Sequence, residues 1–195
     1  MTNFNKLLWI SNKEDMMKYV RLYLSVVAVV IFSAGAYGDA VKEAYDTIRN
    51  GNPEKGYSIL LPLAEQGDSR AQYGLALLYK EGWGTEKNSE KAIEYYQKAA
   101  ELGHLRSMFD LGVLYQTGQL VTQDYAKAAK WYEEAAKKGY SAAMYGLGGL
   151  YFNGLGVKED RDIGKAWYMQ SAEAGFPPAI KFVNDAYNLG MPVNN

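Results

Sequence analysis

Apolar residues in this chain return at helical spacing, in pairs of short runs separated by glycine-led breaks. Ala71, Leu75, Leu78 and Tyr79 fall on one side of a 3.6-residue helix, and Ala92, Tyr95, Tyr96, Ala99 and Ala100 do the same in the next run. The spacing predicts helices over 69–80 and 89–101. The pair recurs 36 residues on as Ser107, Leu111, Leu114 and Tyr115, followed by Ala128, Trp131, Tyr132, Ala135 and Ala136. It recurs again as Ala143, Leu147, Leu150 and Tyr151, followed by Gly164, Trp167, Tyr168, Ser171 and Ala172. Gly67, Gly103, Gly139 and Gly175 keep the same interval, and no insertion breaks the register. A fixed period of this length predicts an all-α fold, a right-handed α-solenoid of helix–turn–helix repeats.

The polar and small residues between the runs predict the helix ends. Gly67, Gly103, Gly139 and Gly175 fit left-handed C-terminal caps, which glycine adopts cheaply. Asn88, Asp124 and Asp160 stand where an N-cap oxygen starts the second helix. Ala76, Gly112 and Gly148 leave room for a neighbouring helix, and Tyr95–Tyr96, Trp131–Tyr132 and Trp167–Tyr168 are the rings expected to fill the core against alanine. Full units are expected over 68–103, 104–139 and 140–175. A degenerate N-terminal unit over 39–67, a capping helix over 176–190 and a tail over 191–195 flank them, since terminal repeats are usually atypical.

In the third unit Leu147-Gly148, Tyr151, Gly154-Leu155-Gly156-Val157, Asp160, Trp167-Tyr168 and Ala172 together resemble the Sel-one-like repeats, longer-looped relatives of tetratricopeptide repeats. The second unit departs at Gln119-Leu120, losing the second loop glycine, and the first has Asn88 for the aspartate. The resemblance implies a helical solenoid that acts as an adaptor in protein complexes, with envelope and host-contact roles among its members. It also brings in cysteine-rich relatives associated with penicillin binding and β-lactamase activity, whose repeats carry paired cysteines that this chain lacks.

Upstream of the repeats, Lys18 and Arg21 precede an apolar run of eleven, Leu22–Phe32, and the small-residue stretch Ser33–Gly38. This is the tripartite pattern of a secretory signal peptide, with cleavage expected before Asp39. The run falls short of the roughly 20 apolar residues of a membrane span, so an anchor over 22–37 is the alternative. Residues 1–38 thus read as an upstream extension plus signal peptide, with Met16 or Met17 the expected first residue. The expected location is the periplasm or the exterior, or the inner membrane if the segment stays uncleaved.

Composition narrows the function. Net charge is −1 with no basic cluster, so nucleic-acid binding is not expected. There is no cysteine and one histidine, His104, which rules out thiolate chemistry and leaves no metal or cofactor site in view. His104 follows a capping glycine and reads as a junction residue. The serines show no nucleophile elbow, and acidic pairs such as Glu133-Glu134 read as solvated charge. What remains is surface. The first helices of such a solenoid line its concave side, and the stripe not spent on core packing is Arg70, Gly74, Leu77 and Glu81, then Arg106, Asp110, Val113 and Thr117, then Ala142, Gly146, Gly149 and Asn153. These twelve are the expected partner-binding face, with the glycines leaving room for a bound backbone. The expected function is a non-catalytic module for a protein or peptide partner. The alternatives are a cell-wall-associated enzyme or peptidoglycan- or penicillin-binding protein, and a self-associating structural scaffold.

Overall fold

The computed structural model describes residues 40–187. The signal segment, its cleavage point, the anchor alternative and the tail 191–195 lie outside the described residues, as does the capping helix beyond Tyr187. Internal contacts divide the chain into Met1–Glu43 and Ala44–Asn195. Of the first unit only 40–43 is described, and it is helical.

The helices are α1 (40–49), α2 (Pro53–Glu65), α3 (Ser69–Glu81), α4 (Ser89–Glu101), α5 (Leu105–Thr117), α6 (Tyr125–Lys137), α7 (Ser141–Asn153), α8 (Arg161–Glu173) and α9 (Pro177–Tyr187), with no strand among the described residues. From α2 onward each packs on the next in chain order, most extensively within α3–α4, α5–α6 and α7–α8. This is the helix-pair solenoid that the period predicts.

The helix ends follow from backbone chemistry. Asn88 and Asp124 each accept the amide three residues on at 2.9 Å, and Asp160 accepts from Asp162 N and Ile163 N. After α4, Gly103 N donates to Ala100 O at 2.8 Å and His104 N to Ala99 O at 3.0 Å, a Schellman closure with Gly103 at φ 88°. The first helices also end on left-handed glycines, Gly82, Gly118 and Gly154. In the loop that lost its second glycine, Leu120 still takes φ 63°, beside 67° at Gly84 and 69° at Gly156. The loop shape is kept, at the steric cost of a β-carbon in left-handed backbone.

The core corrects one expectation. Of each aromatic pair it is the second ring that goes inside: Tyr96, Tyr132 and Tyr168 are 1, 2 and 7% exposed, whereas Tyr95, Trp131 and Trp167 are only partly buried. Adjacent residues on a helix point about 100° apart, so only one ring of the pair can face the partner helix squarely. Glycine makes the approach possible. A β-carbon on Gly112 would lie 2.4 Å from the Tyr132 ring, and one on Gly164 would lie 2.9 Å from Gly148 O. One buried cluster runs from Ala76 to Leu150; a second joins Tyr168 and Ala172 to Ala179, Ile180 and Val183 of α9.

Candidate functional site

The twelve stripe residues lie four each on α3, α5 and α7, but not all of them present a surface. Gly74 is buried, and a β-carbon there would meet Leu60 Cδ1 at 2.7 Å and the Tyr45 hydroxyl at 3.1 Å. Gly146 receives the Tyr132 ring at 3.0 Å, and the Tyr168 hydroxyl stands 3.3 Å from the corresponding point at Gly149. The room that these glycines leave is therefore taken by the chain's own tyrosines rather than held open for a partner backbone. Thr117 Oγ1 donates to Val113 O and Asn153 Nδ2 to Gly149 O, both at 2.8 Å, so these polar groups are spent on their own helix. Arg70 and Glu81 are exposed, and Ala142 is half-buried. Arg70 is turned back onto the N-cap Asp68, with Nη2 at 2.9 Å from Oδ2.

Four of the twelve do converge. Leu77, Arg106, Asp110 and Val113 meet Tyr73 and Tyr96 around a pocket of about 150 Å³ between α3 and α5. Its lining is mixed: Leu77, Val113, Leu114 and the Tyr96 ring are its apolar part, and Lys80 and Gln119 join Arg106 and Asp110 in its polar part. Its wall is a fixed polar network. Tyr73 Oη donates to Asp110 Oδ2 at 3.0 Å, and Arg106 Nε donates to Asp110 Oδ1 at 3.0 Å. Each carboxylate oxygen thus has its own donor, and Asp110 pins an arginine whose side chain stays 55% exposed. Burial, with Asp110 beside it, pushes the Tyr73 hydroxyl well above the ordinary tyrosine range, so it remains a donor at any physiological pH. Tyr73 came from no stripe position; its signal in the sequence was only an aromatic one helical turn from Leu77.

His104 is the N-cap of α5. Its Nδ1 accepts from Ser107 N at 3.2 Å and lies 3.0 Å from Ser107 Oγ. Tyr73 lies over the imidazole, ring centroids 4.7 Å apart. The Ser–His contact is a capping contact: Ser107 is fully buried, so no substrate reaches its hydroxyl. Among the described residues no group of three or more acidic or histidine side chains comes together as metal ligands.

Stacked helix pairs in a fixed 36-residue register, with a pocket lined from α3, α4 and α5 and the histidine capping α5, define a helical repeat protein. Residues 69–104, 105–140 and 141–176 each match the Sel1 repeat, and the chain belongs to that family, whose members generally act as protein-binding scaffolds. Among solved structures it is similar to a protective antigen of uropathogenic Escherichia coli with an SLR fold (TM-score 0.72, 26% identity, 83% of this chain and 36% of that one). It is also similar to a Sel1 repeat protein from Oxalobacter formigenes (TM-score 0.71, 30% identity, 79% and 64%). An immunity protein from Pseudomonas aeruginosa shares the fold at TM-score 0.54 and 25% identity, over 80% of this chain and 60% of that one. The chain therefore spans about a third of the E. coli antigen and under two thirds of the other two. No curated protein matches its sequence.

Proposed function

We propose that the chain is a non-catalytic adaptor that works at the cell envelope and docks a segment of a partner protein across α3 and α5. The observation that carries this reading is the Arg106–Asp110–Tyr73 network at a small pocket whose apolar part is Leu77, Val113, Leu114 and the Tyr96 ring. Its volume suits one apolar side chain of a bound segment, and the outward part of the Arg106 guanidinium suits a carboxylate next to that side chain. The envelope location rests on the basic start, the apolar run Leu22–Phe32 and the small residues before Asp39.

Two experiments test the two halves. Crosslinked co-purification of the tagged chain from envelope fractions should yield a discrete partner, and R106E should lower its recovery roughly tenfold while the helical circular dichroism is unchanged. Equal recovery with R106E removes the α3–α5 face from the account. For location, the mature N-terminus read by mass spectrometry should be Asp39; a mature chain that retains residues 2–13 contradicts export by this segment.

A further inference from the structure

The one histidine of this chain caps the helix that carries Arg106 and Asp110. A ring nitrogen that accepts an amide hydrogen bond must be unprotonated. The Nδ1–Ser107 N bond therefore fixes the neutral imidazole with its proton on Nε2, the tautomer assigned by that bond. The charged groups around the ring are Asp110 and Arg106 on α5, and Asp68 and Arg70 at the start of α3, with the Tyr73 ring against it at a 35° tilt. The two carboxylates favour an imidazolium and the two guanidiniums oppose it. Burial is the largest influence and holds the ring below the ordinary histidine range. A cation at this place would also face the positive end of the α5 dipole.

The same position in the other repeats is built differently. Asp68 caps α3 through two amides, at 2.9 and 3.1 Å, and a carboxylate stays charged until strongly acid pH. Tyr140 gives α7 no side-chain cap at all. Of the three full repeats only the middle one, which supplies Arg106 and Asp110 to the pocket, caps its first helix with a group that a single proton can disable.

We propose that His104 is a proton-operated cap: neutral, it closes the first turn of α5 and steadies Arg106 and Asp110 at the docking pocket; protonated, it frees that turn and loosens the face. The partner face is thereby coupled to the acidity of its surroundings, a regulation that rests on the docking reading above. The sign follows from the direction of the shift. Because the folded chain holds the proton less well than the unfolded chain, the cap's stabilisation is complete above the ordinary histidine range. It is lost as pH falls through the lower folded-state value.

The test uses the full chain and no partner, so its failure is separable from failure of the docking reading. Proton and ¹⁵N NMR spectra are followed from about pH 7.5 to about pH 5 on the parent chain and on H104N, which keeps an acceptor that does not titrate. The expected result has three parts. The His104 ring titrates below about 6.5, the amides of Arg106, Ser107 and Asp110 move with the same midpoint, and exchange protection at Ser107 falls roughly fivefold on the acid side. H104N shows none of these changes. A ring midpoint at or above the ordinary histidine value, amides that do not follow the ring, or the same acid transition in H104N would each overturn the proposal.

Discussion

At the level of single residues, which atoms go inside is decided by angles and polar pairing that a repeat pattern alone does not fix. The 36-residue register made the aromatic pairs visible, yet the tryptophans, the largest rings, are the partly exposed members. Tyr132 is 2% exposed, lies against Gly112, and donates to Gln116 Oε1 at 2.6 Å. Y132A should therefore cost about 3–5 kcal/mol in urea unfolding and W131A distinctly less, about 1–2 kcal/mol; the reverse order would contradict the packing. Gln72 is a second case. It sits where the other repeats have Met108 and Met144, is 6% exposed, and donates Nε2 to Ala64 O while its Oε1 has no partner. Ala64 O also accepts from Gly67 N, so removing the amide strands nothing. Q72M should raise stability by about 1 kcal/mol, since an unpaired buried acceptor is lost and the volume is kept. A loss of stability in the same unfolding assay would show that the amide is needed there.

At the level of helices, nearly everything was legible, because caps are local chemistry. The expected second helix of the first unit, 89–101, matches α4, and the first, 69–80, ends one residue short of α3. Glycine in left-handed backbone and Asn or Asp at the N-cap act over three or four residues, and those residues are adjacent in the sequence. The caps that escaped notice were Asn52, Asp68 and His104. Asp68 and His104 share one register position with Tyr140, which gives no side-chain cap, so the repeat pattern gives that position no common cap. Histidine also caps through a ring nitrogen whose availability depends on its protonation state. Leu120 shows the converse. A loop glycine was lost but the loop conformation was not, held by its neighbours at Gly118 and by Asp124 N donating to Tyr115 O at 2.8 Å. The last helix carries a prediction of its own. Ala179, Ile180 and Val183 of α9 are buried against Tyr168 and Ala172 of α8, so truncation after Gly175 uncovers that cluster. Because stability in a repeat array is set by nearest neighbours, amide exchange should rise in α7 and α8 while α3 and α4 stay protected. Uniform loss of protection would show a single cooperative unit instead.

At the level of the whole molecule, the proposed docking face is where sequence reasoning was least sufficient. A stripe of twelve positions follows from periodicity, but periodicity treats the three repeats as equivalent, and the pocket does not. It forms where Tyr73 of one repeat reaches Asp110 of the next at 3.0 Å, a contact between residues 37 apart that no single-repeat pattern contains. On α7 the equivalent places are glycines covered by Tyr132 and Tyr168, so the same stripe there is a packing surface. The claim on which the function depends is that partners meet the chain between α3 and α5. Its most direct test is a photo-crosslinking amino acid placed at Val113, inside the pocket, and in a separate variant at Lys130, exposed on α6. The account predicts a discrete adduct from position 113 and none from 130; adducts from 130 alone, or equal yields from both, would contradict it.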